Sequence, residues 1–111
     1  MPVQRWSEDT LVVQLADDPQ LSEDMAEIND RLHAGCCDVV LDLSSLTLLT
    51  SSGISRLLRL RKRLIEAQRR LFICSVPDRV WTVFLATGLD AIFVFARNIS
   101  EALAQLQSQK A

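Results

Sequence analysis

The 111-residue sequence has little of what most catalytic sites need: it contains one histidine, three glycines and no tyrosine. The single histidine, His33, would have to be the base of any Ser-His-Asp relay, yet it lies in no recognisable motif. Glycine occurs only at positions 35, 53 and 88, which rules out a Walker loop and a dinucleotide-binding fingerprint. Leu49 occupies the position where a nucleophile elbow around Ser51 would need glycine. We therefore expect no enzymatic activity.

Cysteine is also scarce, and the three cysteines are badly spaced for a shared site. Cys36 and Cys37 are adjacent, whereas Cys74 is distant. This spacing matches neither a disulfide framework nor a set of zinc ligands. We expect all three to be small apolar core residues, with no structural metal and no cofactor.

Long apolar runs and a secretion signal are absent as well. No stretch approaches the roughly 20 apolar residues that span a bilayer, and the first ten residues, MPVQRWSEDT, are too polar for a signal peptide. Hydrophobic residues make up 49% of the chain and charged residues 23%, which is a globular balance. These features predict a single domain over residues 1–111, a cytoplasmic location and no membrane insertion.

The charge is divided unevenly between the two halves of the chain. Residues 1–50 carry ten acidic and two basic side chains, whereas residues 51–111 carry ten basic and four acidic ones. Opposed surface potentials of this kind can steer a charged partner. No aromatic residues interleave with the basic ones, so the pattern does not indicate direct nucleic-acid binding.

What the sequence does contain is an alternation of strand-like and helix-like hydrophobic patterns. Short, partly β-branched runs predict strands, and apolar residues recurring every three or four positions predict helices between them. The predicted strands are 10–15, 38–43, 71–76 and 91–96, the last of which we expect to be buried, and the predicted helices are 21–34, 53–66, 79–87 and 99–109. Strands alternating with helices indicate an α/β fold with a mostly parallel sheet.

Residue types at the ends of the predicted elements support these boundaries. Gly35 suits a helix stop, Gly88 a left-handed C-cap, and Asn98 with Glu101 has the spacing of a capping box. Residues 39–43 are expected to form a central strand covered on both faces. The side chains that we expect to be largely buried are Val39, Leu41, Leu43, Leu57, Leu58, Leu64, Val83, Phe84 and Phe93.

Three adjacent hydroxyl residues, Thr50, Ser51 and Ser52, occupy the predicted start of the second helix. One interpretation is an ordinary N-cap, which contributes about 1 kcal/mol. The other is a chemical target, because a helix N-terminus presents unpaired N–H groups and the positive end of the helix dipole to an anion. The residue types alone leave both interpretations open.

Arginines on the same helix make the second interpretation specific. With the helix starting near Ser52, residues Ser52, Arg56, Arg59 and Arg63 follow one another at i, i+4, i+7 and i+11. At about 100° per residue they share one face, opposite the leucine stripe. A phosphate on Ser52 would add about −1.5 to −2 charges within reach of Arg56.

Three segments together resemble the STAS domain of anti-sigma-factor antagonists: DVVLDLSSLTLLTSSGISRLLRLRKRL, VPDRVWTVFLATGLDAIFVF and SEALAQL. The resemblance covers roughly residues 10–107 and lies in the combination of a buried strand, a two-serine and glycine turn, an amphipathic helix and a later Thr-Gly-Leu segment. It implies a four- to five-stranded, mostly parallel sheet with helices packed against it, and no catalytic activity.

In that family, a kinase-type anti-sigma factor phosphorylates the second serine of the turn, and a serine phosphatase removes the phosphate. The matching residue here is Ser52. The resemblance therefore implies that this chain antagonises an anti-sigma factor and is switched off by phosphorylation at Ser52. The residues that we expect to contact the partner are Thr50, Ser51, Gly53, Arg56, Arg59 and Arg63.

The sequence departs from the family pattern in three places. The aspartate that usually precedes the two serines is Thr50, and Arg69 and Arg70 replace the glycine usually found before the next strand. The first hairpin is also short and poor in glycine. The family includes members that are never phosphorylated, and Thr50 favours that alternative: an interaction module such as a subunit docked on a lipid-transport ATPase, or a signalling scaffold.

Overall fold

The computed structural model describes residues 3–7, 9–34 and 37–110 of the chain, and the side chains of residues 9–33 and 37–108. The strands are β1 (Val3–Ser7), β2 (Thr10–Ala16), β3 (Asp38–Ser45), β4 (Leu71–Cys74) and β5 (Val94–Ala96). The helices are α1 (Gln20–Ala34), α2 (Ser51–Glu66), α3 (Asp78–Thr87) and α4 (Ile99–Lys110), and a 3-10 turn over Leu89–Ala91 precedes β5. The alternation of strands and helices is as predicted.

The five strands form one sheet in the order β1-β2-β3-β4-β5. Strand β1 pairs antiparallel with β2, and all the other neighbours are parallel. Strand β3, which contains the predicted central strand 39–43, lies in the middle of the sheet. The predicted α/β class with a mostly parallel, four- to five-stranded sheet is confirmed, and the first hairpin adds an antiparallel pair at one edge.

The helices cover both faces of the sheet, because side chains alternate between the faces along each strand. Val39, Leu41 and Leu43 join the larger core cluster together with residues of α1, α2 and α3. Val40 and Phe72 point to the other face, where side chains of α4 cover them. Coverage on both sides explains why residues 39–41 of β3 are all apolar rather than alternating between apolar and polar.

Most of the predicted core is confirmed, with one error on α2. The predicted residues that are buried are Val39, Leu41, Leu43, Leu57, Leu64, Phe84 and Phe93. Val83 is only partly buried, and Leu58 was wrongly placed, since it is 37% exposed. Leu60, which the prediction omitted, is buried in its place. The buried residues of α2 recur at 53, 57, 60 and 64, a regular helical spacing in which Leu58 is turned about 100° away.

The predicted strand 91–96 is wrong in its first half and in its burial. Gly88 ends α3 in a left-handed conformation, with φ of 74°, and the chain then makes the 3-10 turn before β5 begins at Val94. Phe93 is the residue of this segment that enters the core, where its ring lies 6.1 Å from that of Phe84. β5 is a short edge strand, so its own side chains are exposed or half-buried. Strand 71–76 is likewise shorter than predicted, because Ser75 adopts a φ of 56°.

The predicted helix ends are largely confirmed. The Gly88 N–H donates to the carbonyl oxygens of Leu85 and Phe84, as a C-cap requires. The Asn98 side chain accepts from the Glu101 N–H at 2.8 Å, and the Glu101 carboxylate accepts from the N–H of Arg97, one residue earlier than in a standard capping box. Gly35 lies outside the described residues.

The turn from α2 to β4 forms without the glycine that the STAS family usually has before this strand. Gln68 takes the left-handed conformation, with φ of 61°. Its N–H donates to the Ile65 carbonyl at 3.0 Å, and the N–H of Arg69 donates to the Leu64 carbonyl at 2.8 Å. These two bonds form a Schellman motif, in which glycine normally occupies the position of Gln68. The position in this turn that suits glycine is therefore Gln68 rather than Arg69 or Arg70.

Cys37 and Cys74 are buried, as expected, whereas Cys36 lies outside the described residues. Burial and, to a smaller extent, the neighbouring carboxylate of Asp42 raise the pKa of the Cys74 thiol to about 11. Within the part of the chain that the structure describes, no three His, Cys, Asp or Glu side chains are grouped so as to hold a metal ion. None of the described helices is both long and apolar enough to cross a membrane.

Candidate functional site

The site forms where the central strand ends and α2 begins. After β3, the loop of residues 46–50 turns over the carboxyl edge of the sheet. Leu46 and Leu49 are buried and fix the loop to the core, whereas Leu48 points outward and is 62% exposed. The loop before α2 is therefore held against the core on one side and presents a large apolar side chain to the solvent on the other.

Asp17, at the end of the neighbouring strand β2, fastens the same loop. Its carboxylate accepts from the Thr47 N–H at 2.9 Å, from the Thr47 hydroxyl, and from the Leu48 N–H at 3.3 Å. These hydrogen bonds, the one from the Thr47 hydroxyl foremost, hold the pKa of Asp17 below its ordinary value. Asp17 was not among the residues predicted for the site. Because the carboxyl ends of adjacent parallel strands meet at one edge of the sheet, its place directly after β2 was the available signal.

Thr50 is the N-cap of α2. Its backbone is extended, with φ of −90° and ψ of 166°, and its hydroxyl accepts a hydrogen bond from the Gly53 N–H at 3.1 Å. The helix begins at Ser51, slightly earlier than the start expected near Ser52. The N-cap interpretation of the three hydroxyl residues therefore applies to Thr50.

Ser51 and Ser52 are the first two residues of the helix, and both are exposed. Neither hydroxyl has a hydrogen-bond partner among the residues that the structure describes. Their backbone N–H groups belong to the first turn of the helix, whose N–H groups have no partner within the helix itself. Both hydroxyls are therefore accessible to a modifying enzyme, and they lie next to the positive end of the helix dipole.

Gly53 is buried, and it has no side chain to offer a partner. A Cβ atom on this residue would lie 3.3 Å from Cδ1 of Leu49 and 3.7 Å from Cδ2 of Leu21. Glycine here allows the first turn of α2 to pack closely against the loop and α1. Its place in the site is beneath the surface rather than on it.

The three arginines of the predicted face are placed differently from one another. Arg59 is exposed, and Arg56 is half-buried, with a buried Nε that has no hydrogen-bond partner among the described residues. Arg63 donates through Nη1 to Oδ1 of Asn29 on α1 at 2.8 Å. The predicted arginine face therefore adjoins α1, about a quarter of a turn from the buried stripe, rather than opposite it.

Comparisons with known proteins place this geometry in a family. The sequence profile of the STAS domain family matches residues 5–103. A Bordetella bronchiseptica protein named "Putative anti-sigma factor antagonist BtrV" is 32% identical over 83 residues, which cover 75% of this chain and 72% of BtrV.

Solved structures agree on the fold. The protein TM1081 from Thermotoga maritima superposes with a TM-score of 0.84 at 19% identity, covering 96% of this chain and 93% of that one. The anti-sigma factor antagonist SpoIIAA, in its unphosphorylated form, superposes with a TM-score of 0.82 at 20% identity, covering 96% of this chain and 95% of SpoIIAA. The chain belongs to the STAS domain family and has the fold of the anti-sigma factor antagonists.

Proposed function

We propose that this chain is an anti-sigma-factor antagonist that binds a kinase-type anti-sigma factor and is switched off by phosphorylation of Ser52. The observation that carries the proposal is that the hydroxyl groups of Thr50 and Ser52 have different roles in the structure. Thr50 supplies the N-cap, so the hydroxyl of Ser52 is not needed to hold the helix and remains exposed. A kinase can therefore modify Ser52 without removing a bond on which the fold depends.

The surroundings of Ser52 favour a phosphate in the free protein. A dianion at the second residue of a helix interacts favourably with the dipole by about 0.3–1 kcal/mol. Arg56 and Arg59 follow it by one and two turns, and the buried Nε of Arg56 has no acceptor among the described residues. Phosphorylated protein should keep its fold.

The same phosphate would oppose binding to a partner that recognises neutral hydroxyls. Ser51 and Ser52 form a small, uncharged surface beside the exposed Leu48. A partner that covers these groups would have to desolvate a phosphate carrying about −1.5 to −2 charges, which is costly without new basic contacts. Phosphorylation therefore releases the partner by changing the chemistry of the contact surface rather than by unfolding it.

The names of the related proteins support the coarse part of this proposal. BtrV and SpoIIAA are both named as anti-sigma factor antagonists, and the SpoIIAA structure is titled as an unphosphorylated form. The assignment of the acceptor to Ser52 comes from the match of the two-serine turn.

A second candidate function is a non-phosphorylated interaction module, and Thr50 is the observation that favours it. The family aspartate is replaced by a hydroxyl residue whose oxygen is engaged in capping the helix. The site therefore lacks a carboxylate at this position. In this alternative the same surface binds its partner constitutively.

The experiment that separates the two uses the protein, ATP and the anti-sigma-type ATPase encoded nearest to it. We expect one phosphate on the wild-type chain, mapped to Ser52 by mass spectrometry, and none on Ser52→Ala. Ser51→Ala is the matched control and should still be phosphorylated. Phosphate on Ser51 or Thr50 would contradict the residue assignment. No phosphorylation, together with unchanged partner binding by Ser52→Asp, would establish the non-switching module instead.

A further inference from the structure

A groove of about 220 Å³ lies between the C-terminal half of α2, the start of β4 and the segment leading into β5. Its floor is formed by three buried apolar side chains of the larger core cluster: Leu64, Leu71 and Phe93. Its rim carries three aliphatic side chains that are 40% to 53% exposed: Ile65, Ile92 and Val94. Aliphatic side chains exposed together around a concave surface are typical of an interaction site.

All the charged residues that line the groove are arginines, namely Arg61, Arg69 and Arg70. Arg69 is held by Asp38 and Asp9, whose carboxylate oxygens lie 3.7 and 3.9 Å from its guanidinium nitrogens. The guanidinium groups of Arg61 and Arg70 form no ion pair within the described part of the chain. The groove therefore combines an apolar floor with two uncompensated positive charges.

We propose that this groove docks an acidic segment of a partner protein that carries a large apolar side chain. The apolar side chain fills the floor beside Leu71 and Phe93, and carboxylates of the segment pair with Arg61 and Arg70. Arginine together with large apolar residues, without lysine or acidic residues, is the composition of interface cores. A single anchoring side chain in a pocket surrounded by complementary charges is a common binding arrangement.

Other occupants fit less well. The groove is smaller than the roughly 300–1,000 Å³ of sites for cofactors and drug-sized ligands, and a small ligand would leave the aliphatic rim uncovered. A second copy of this chain, docked groove to groove, would bring arginines against arginines with no carboxylate in either lining. Single-stranded nucleic acid stacks on exposed aromatic rings, whereas Phe93 in the groove is buried.

The groove is separate from the proposed switch. Ser52 and Ile65 are thirteen residues apart on one helix, which corresponds to about 20 Å. A partner in the groove and a partner at the N-terminus of α2 could therefore bind at the same time. Docking in the groove should not depend on phosphorylation of Ser52.

The test is a titration of the isotopically labelled full chain with a synthetic peptide that alternates glutamate with leucine and phenylalanine, followed by amide NMR shifts. Shifts should concentrate at residues 61–72 and 92–94, and the affinity should fall as salt rises. A peptide with lysine in place of glutamate, and one with serine in place of leucine and phenylalanine, should bind at least about tenfold more weakly.

Two double variants test whether the peptide binds in the groove. Reversing the groove charges with Arg61→Glu and Arg70→Glu should weaken the acidic peptide by about tenfold or more. Lys62→Glu with Arg79→Glu changes the net charge equally at exposed residues outside the lining and should leave the affinity unchanged. Equal effects of the two pairs, shifts centred on residues 50–56, tight binding of the lysine peptide or no binding at all would each overturn the proposal.

Discussion

The two ends of α2 are built differently. The N-terminal end is held by the N-cap hydrogen bond of Thr50, by the hydrogen bonds from the loop to Asp17 and by close packing at Gly53. The groups exposed there are small hydroxyls. At its C-terminal end, Gln68 occupies a conformation that suits glycine, and Ile65 is 53% exposed. One end is held rigidly and carries the proposed acceptor, whereas the other keeps features that cost stability and so suggest a second use.

The largest expected effect tests the buried stripe that joins the two ends. Leu60→Ala or Leu57→Ala should lower the free energy of unfolding by about 2–5 kcal/mol, because each leaves a cavity under α2. Leu58→Ala is the matched control on the same helix and should cost less than about 1 kcal/mol, since Leu58 is partly exposed. Urea denaturation measures all three. A larger loss at Leu58 than at Leu60 would mean that α2 is docked in a different rotation.

The next effect concerns Asp17, whose carboxylate holds the loop before α2 by hydrogen bonds. Asp17→Asn should destabilise the protein by about 1–2 kcal/mol, because the carboxylate accepts hydrogen bonds from Thr47 and Leu48. The pKa of Asp17 is lowered in the folded state, so its contribution is present above the ordinary value of 3.8 and is lost as the pH falls through the folded-state pKa.

Denaturation of wild type and Asp17→Asn at several pH values checks this linkage. The difference between them should be constant near neutral pH and should shrink as the pH drops below 3.8. Asp30→Asn, at an exposed position on α1, controls for the general loss of negative charge. A difference that persists unchanged in acid would contradict the role assigned to the Asp17 carboxylate.

A smaller effect separates the cap from the proposed acceptor. Thr50→Ala should cost about 1 kcal/mol through loss of the N-cap, and Thr50→Ser should restore most of it. Ser52→Ala should change stability by less than about 0.5 kcal/mol, because its hydroxyl is exposed and unbonded among the described residues. Thermal denaturation of wild type and the three variants measures these differences in stability. A loss for Ser52→Ala equal to that for Thr50→Ala would contradict the assignment of the cap to Thr50 alone.

The smallest expected effect is a gain at the other end of the helix. Gln68→Gly should stabilise the protein by up to roughly 1 kcal/mol, since glycine adopts the left-handed conformation of this position without steric cost. Gln68→Ala keeps a Cβ and should give no such gain. If neither substitution raised the midpoint of urea denaturation, Gln68 would not be a source of strain.

Hydrophobic periodicity was enough to predict the order of the elements, the central position of β3 and most of the core. These properties are local, because each helix or strand must turn one set of its own side chains inward. Gly88 and Asn98 marked helix ends for the same reason, since the residue type alone meets the needs of the cap. The two-serine turn likewise required only neighbouring residues, and the resemblance to the STAS domain required only the order of three such local segments.

Tertiary structure decided what depended on distant residues. Whether Leu58 or Leu60 faces the core depends on the rotation in which α2 docks on the sheet and α1, and both leucines fit a helical period. The segment 91–96 had the composition of a buried strand, but its place at the sheet edge left Val94 exposed. The hydrogen bonds of Asp17 to Thr47 span 30 residues of chain. The sequence by itself determined which side chains could serve as cap, hold the loop or accept a phosphate. Only the folded sheet, by bringing the ends of β2 and β3 together, decided which of them lie around Ser52.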